Sequence, residues 1–192
     1  MRLKIKYAYV ILSSAEKIKE LDLQNKTRNE QITLLQEKHK FCSQCASILH
    51  IEYYDGEQRL TCSNQGCDYV LWNNPIPVIA VLVEHVNANK QQGAFILAHN
   101  VLWPEGKYSV ITGFMEAEDL SPQDAARREV KEELNLVAVN YHFIGHYTSS
   151  RANQLIIAYY VSAEGSIQLN EELDDYKYIS AEKLKGWGTE TG

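Results

Sequence analysis

GFMEAEDLSPQDAARREVKEELNL, residues 113–136, reads as a glycine-led loop that feeds a short acidic helix. Ser121 suits the N-cap, Pro122 the first helical position, and Asp124 stands three residues after the cap, as in a capping box. Beyond them Ala125, Ala126, Val130 and Leu134 supply helix propensity and an apolar stripe. Glu129, Glu132 and Glu133 fall at i, i+3 and i+4, so three carboxylates share one helix face. Like charges at that spacing cost helix stability unless a cation lies between them. A solvated acidic face is the bland alternative. Against it, a stabilising surface helix alternates Glu with Lys or Arg, and a glycine before the helix permits close approach of backbone and ligand. A hard divalent ion suits the carboxylates, since Mg²⁺ takes one or two and completes its octahedron with water and substrate phosphates.

The segment resembles the signature of the Nudix hydrolases, Gly-x5-Glu-x7-Arg-Glu-U-x-Glu-Glu-x-Gly-U, where U is bulky and aliphatic. Gly113, Arg128, Glu129, Val130, Glu132, Glu133 and Leu136 fill the pattern. Three departures stand out. Asp119 takes the place of a Glu, eight residues rather than seven separate it from Arg128, and Asn135 replaces the second glycine. The last is mild, because Asn tolerates a left-handed C-cap. The first two change the loop that carries a secondary carboxylate.

The chain has 192 residues, 45% of them hydrophobic, which is enough for one good core and a small appendage. A formal net charge of −6 argues against general nucleic-acid binding through a basic surface. No apolar run approaches the length that spans a bilayer, so no membrane partner is expected. The opening MRLKIKYAYVILSSA mimics a signal peptide, but its apolar run from Tyr7 to Leu12 is short and tyrosine-rich, and a strand is expected there instead. Four cysteines at metal spacing suit a reducing compartment, and the expected location is the cytoplasm.

Residues 14–39 are polar and free of Gly and Pro, and they read as an amphipathic helix. Ile18, Leu21, Ile32 and Leu35 fit heptad positions, with Asn25 and Arg28 interrupting the seam. Packing within its own domain is the favoured reading, and a homodimer-forming helix is the alternative. Next come Cys42-Ser-Gln-Cys45 and Cys62-Ser-Asn-Gln-Gly-Cys67, two close pairs joined by a hairpin-length span. That is zinc-ribbon spacing, with strands near 49–54 and 58–62 reversing at Asp55-Gly56. A full set of four thiolates leaves no open position, so the expected Zn²⁺ is structural. Four buried thiols or two disulfides are the alternatives.

Downstream, strands are expected at 77–86, 94–99, 108–112, 137–147, 154–163 and 176–179, followed by a helix beginning at Ser180. The domains are then 1–40 (extension), 41–74 (ribbon) and 75–192 (hydrolase). The resemblance implies an α/β fold, the Nudix α/β/α sandwich with a mixed sheet, preceded by the ribbon. A ribbon ahead of a Nudix domain resembles two groups, the NADH pyrophosphatases and a zinc-ribbon group that includes ADP-ribose and FAD pyrophosphatases. The NADH group typically carries a Tyr-Pro-Arg stretch and a Gln-Pro-Trp-Pro-x-Pro-x-Ser loop, neither of which is present here. Trp72-Asn73-Asn74-Pro75, Gly113-Phe114-Met115-Glu116 and Asn153-Gln154-Leu155 look more like the second group.

What this implies is Mg²⁺- or Mn²⁺-dependent hydrolysis of ADP-ribose or FAD, a nucleotide-type small-molecule substrate, with release of AMP. NADH hydrolysis and a non-hydrolytic nucleotide sensor are the alternatives. Glu129, Glu132 and Glu133 would hold the metal, with a backbone carbonyl of Thr112 or Gly113 by analogy, and Arg128 would orient a helix carboxylate. Arg127 reads as an ordinary surface arginine. The general base varies within the family, and Glu164, Glu171 and Glu172 all remain open. Trp72 and Tyr147 are weak candidates for stacking on a substrate ring, since strand aromatics are usually core. The six histidines, at 39, 50, 85, 99, 142 and 146, form no metal-spaced pair with the cysteines, and structural or surface roles are expected of them.

Overall fold

A computed structural model describes residues 28–86, 94–150 and 152–184; the expectations for residues 7–12, for Ile18, Leu21 and Asn25, and for the turn at 87–93 lie outside them. The described residues fall into two compact units that part between Asn74 and Pro75.

The first unit is small and is built on a hairpin. Helix α1 (Arg28–Lys38) precedes strands β1 (Leu49–Tyr54), β2 (Glu57–Cys62) and β3 (Val70–Leu71), which form one sheet in the order β1-β2-β3. The reversal falls where the sequence places it. Asp55 (φ 51°) and Gly56 (φ 81°) both lie in the left-handed region, as a two-residue hairpin turn of the primed type requires. Cys42, Leu49 and Leu60 form the core, and Ile32 and Leu35 of α1 pack on it. The apolar side of that helix is therefore used within its own unit.

The second unit is a six-stranded mixed sheet. Its strands are β4 (Ile76–His85), β5 (Ala94–Asn100), β6 (Ile111–Phe114), β7 (Val137–Ser149), β8 (Gln154–Glu164) and β9 (Leu173–Ser180). The path runs β7-β8-β4-β5-β9, and β6 also pairs with β4. Strand β4 is parallel to β8 along its whole length, from Ile76 opposite Gln154 to His85 opposite Ala163. Its other edge is divided: Val78–Val81 face β6, whereas Val83 and Glu84 face β5. Strand β4 is almost wholly buried, which explains its near-continuous apolar run.

Alternate residues of β4 serve two cores. Ile79, Val81 and Val83 join helix α2 (Pro122–Leu134) on one face, while Ala80 and Leu82 pack with Phe95, Tyr160 and Leu184 on the other. The expected C-terminal helix forms as α3 (Ala181–Leu184), with the Ser180 hydroxyl accepting the Lys183 N–H at 3.4 Å. Two expectations need adjusting. The strand expected at 108–112 runs instead from Ile111 to Phe114, preceded by an isolated Ser109–Ala98 bridge. Gly113 thus lies within a strand, opposite Ile79, rather than opening a loop. Among the described residues no helix is long and apolar enough to cross a membrane.

Candidate functional site

Helix α2 owes its position to its ends and its stripe. The Ser121 hydroxyl accepts the Asp124 N–H at 3.2 Å and donates to the Asp124 carboxylate at 2.8 Å, so the expected capping box closes through the two side chains. At the other end Asn135 sits at φ 57°, ψ 20°, and its N–H returns to the Lys131 carbonyl at 2.9 Å. This is the left-handed cap the replaced glycine would have made. Ala125, Ala126, Val130 and Leu134 are fully buried and clamp one face of the helix to the sheet. Arg127 does more than an ordinary surface arginine: it bonds the Tyr141 hydroxyl on β7 at 3.2 Å and Asp124 at 2.7 Å, tying the helix to the sheet.

That clamping carries two of the three glutamates inward. Glu129 and Glu133 are each 7% exposed, whereas the Glu132 side chain points to solvent. A Cβ on Gly113 would overlap the Glu129 carboxyl group, so only glycine on β6 leaves room for it. Burial pushes the Glu129 carboxyl above its ordinary range, with the Arg128 charge opposing. Burial also pushes Glu133 up to about 8, helped by the charges of Glu129, Glu172 and Glu132. Two buried carboxylates side by side are a costly arrangement for a helix serving only as structure. A divalent cation between them would offset that cost, and the donor set, all carboxylate oxygen, suits a hard ion such as Mg²⁺.

Arg128 is the organising cation. Its Nη1 donates to two of the helix carboxylates, Glu129 at 2.7 Å and Glu132 at 3.1 Å. Its Nη2 reaches the Phe114 carbonyl at 2.9 Å. Its remaining bonds go to a residue the sequence reading treated only as a departure. Asp119 accepts from Nε at 3.2 Å and from Nη2 at 2.9 Å, a two-pronged pair that holds its carboxyl below the ordinary range. The signal was available: an acid close to the expected position, with an arginine to receive it.

In the first unit the sulfurs of Cys42, Cys45, Cys62 and Cys67 all lie within 4.8 Å of one another. None of the four is bridged to another in this structure. The separations of 3.8 Å (Cys42–Cys67) and 3.4 Å (Cys45–Cys62) approach the roughly 3.8 Å edge of a tetrahedron with Zn–S bonds of ~2.3 Å. Backbone N–H groups of Gln44 and Asn64 point at the Cys42 and Cys62 sulfurs. Hydrogen bonds from the side chain and backbone of Ser47 pull the Cys45 thiol down to about 6, while burial and the neighbouring thiols push Cys62 and Cys67 up. The cluster fits a closed, tetrahedral metal site.

Other candidates separate. Tyr147 packs against the core on the sheet face opposite α2, away from the glutamates. Trp72 belongs to the first unit, where Arg59 lies over its ring at 4.4 Å and Tyr54 meets it edge-on. Of the three open acids, Glu172 is the one whose charge acts on Glu133. Among the histidines, His85 and His99 are buried structural groups, bonded respectively to Tyr178 and Gly165 and to Asp174 and Pro104.

Comparison with known proteins gives the same picture. A family model described as NUDIX domain matches residues 77–191. An NAD-capped RNA hydrolase NudC from Pseudomonas fluorescens is 24% identical over 156 residues, covering 80% of this chain and 52% of that protein. One from Vibrio cholerae is 26% identical over 147 residues, covering 76% and 51%. The chain therefore spans about half the length of the curated relatives it matches. A NUDIX hydrolase structure from Nitrosomonas europaea superposes with a TM-score of 0.58 at 20% identity, covering 79% of this chain and 92% of that one. A MutT/nudix family protein from Enterococcus faecalis gives 0.51 at 15%, covering 60% and 47%. These two likenesses concern the fold alone. With its glutamate helix docked under Gly113 and a family match over most of the second unit, the chain belongs to the Nudix family.

Proposed function

We propose that this chain hydrolyses the pyrophosphate bond of a nucleoside diphosphate linked to a second moiety, with Mg²⁺ or Mn²⁺ held by Glu129, Glu132 and Glu133. The observation that carries the reading is the pair of buried carboxylates on one helix face, Glu129 and Glu133, with the Glu129 carboxyl group packed against Gly113. The bound metal would supply charge neutralisation at the phosphoryl oxygens and a more acidic water. The chain's own residues do the rest. Arg128 fixes the rotamers of Glu129 and Glu132, and Gly113 lies against the Glu129 carboxylate, so that a backbone carbonyl of Thr112 or Gly113 would complete the shell. Glu172, in electrostatic reach of Glu133, is the favoured acid for holding the attacking water or its metal. In the first unit, the four cysteines hold a structural Zn²⁺.

For the substrate, the Trp72-Asn73-Asn74-Pro75 stretch and the absence of the NADH-type loops favour ADP-ribose or FAD, with AMP released. A second reading comes from the relatives, which are named NAD-capped RNA hydrolases. It is compatible with the net charge of −6, because an enzyme that reads only the dinucleotide end of an RNA needs no extended basic groove. The deciding experiment is a panel of ADP-ribose, FAD, NADH and NAD-capped RNA with Mg²⁺ or Mn²⁺, scored by AMP release for the free nucleotides and by loss of the cap for the RNA. Fastest turnover of ADP-ribose or FAD supports the first reading, and preference for the capped RNA replaces it with the second. Tight binding with no turnover on any of the four would make the chain a nucleotide sensor.

A further inference from the structure

Two departures from the family pattern stand next to each other in the chain: an acid shorter by one methylene at Asp119, and one extra residue before Arg128. We propose that they are a compensating pair, in which Leu120 serves as a chain-length spacer that brings the backbone of Asp119 close enough for its short carboxylate to position Arg128. The inference rests on the metal-site reading above, and it assigns Asp119 as a positioning residue.

The Asp119 carboxylate is fully engaged. One oxygen accepts from Arg128 Nε at 3.2 Å; the other accepts from Nη2 at 2.9 Å and from the Glu116 N–H at 2.8 Å. The Asp119 N–H closes the same turn on the Glu116 carbonyl at 3.2 Å. Its side chain is 7% exposed, so an added methylene of ~1.5 Å has no room without moving Arg128 or opening the turn. The next residue behaves oppositely. Leu120 is 94% exposed, an apolar side chain lying outside both cores, between a buried acid and the Ser121 cap. What it contributes is length: one residue adds up to ~3.5 Å of reach, more than the methylene Asp lacks. The slack lets the backbone travel to the arginine instead of the side chain. Arg128 in turn bonds Glu129 and Glu132, so an error at Asp119 passes directly to the carboxylates.

The test is a double-mutant cycle on the full chain, read by Mn²⁺ affinity and by thermal unfolding without metal. Asp119→Glu alone and deletion of Leu120 alone should each weaken Mn²⁺ binding roughly tenfold or more, the range for residues that orient ligands. Each should also lower the melting temperature. Combining them restores the standard spacing and should return both readouts to near wild type. Leu120→Ser, which keeps the length, should match wild type throughout. Additive losses in the double variant would overturn the proposal, as would a defect in Leu120→Ser. If the wild type itself binds no Mn²⁺, the metal reading fails, and the metal-free melts then decide the loop pairing by themselves.

Discussion

The Glu129 carboxyl group occupies the space in which a side chain on Gly113 would begin. The glycine's backbone is ordinary strand, paired with Ile79, so it is needed for space and not for conformation. Gly113→Ala should therefore leave the fold intact, because the displaced group is the end of a flexible side chain. Metal affinity and turnover should fall by roughly ten- to a hundredfold, as for changes that reorient a ligand. Circular dichroism melts beside Mn²⁺ titrations check this, and wild-type Mn²⁺ affinity in the alanine variant would refute it.

Glu133 gives a pH signature. Its carboxyl is pushed from an ordinary 4.5 up to about 8, so the folded protein holds a proton that the unfolded chain has released. In the metal-free protein this group's contribution to stability is complete below about 4.5 and is lost as pH rises to about 8. Apparent Mn²⁺ affinity should climb over the same window, because proton and metal compete. Glu133→Gln should flatten the stability slope and cost at least about a hundredfold in metal affinity or turnover. Parallel slopes for variant and wild type would contradict this account.

His99 gives a second window of the same sign. Its Nδ1 meets Asp174 at 2.6 Å and its Nε2 meets the Pro104 carbonyl at 3.2 Å. Both ring nitrogens face acceptors, and the Asp174 carboxylate raises the imidazole above its ordinary 6.5. This contribution to stability is fully present below 6.5 and disappears as pH rises through the elevated value. His99→Gln should accordingly lower the melting temperature more at pH 6 than at pH 9. An equal loss at both would show that the imidazole acts through packing alone.

For the ribbon, freshly purified protein should contain stoichiometric zinc by elemental analysis, and Cys62→Ser should lose most of it. Chelation should destabilise the small unit, whose core is built around Cys42, Leu49 and Leu60. Zinc-free wild-type protein would remove the four-thiolate site.

Elements governed by local chemistry were the readable ones. Ser121, Pro122 and Asn135 mark the ends of α2, and Asp55-Gly56 marks the hairpin, because each satisfies a backbone requirement within a few residues of itself. The three glutamates could be placed on one face from spacing, but spacing does not say which are buried. That depends on the sheet beneath, and it separates Glu129 and Glu133 from Glu132. Tyr147 looked like a candidate from its place after the box, yet the bulge between Phe143 and Gly145 and the alternation of β7 decide which face receives it. Glu172 could not be told from Glu171 or Glu164, because its relation to Glu133 spans two elements distant in sequence. Asp119 was visible only as an irregularity until Arg128 gave it a partner.

The parallel ladder between β4 and β8 also bears on how the molecule is made. Ile76 must find Gln154, and β5, β6, α2 and β7 all lie in the intervening chain. Closing so long a loop costs entropy before its contacts repay it, and such high contact order slows folding. Gly113, Asp119, Arg128 and the glutamates sit inside that loop, and the sheet face that buries α2 is continuous only once β8 has docked. During synthesis the acidic helix therefore emerges well before its support does. A chain truncated ahead of Gln154 should carry Glu129, Glu132 and Glu133 and still bind no Mn²⁺ at them, whatever zinc its cysteines hold.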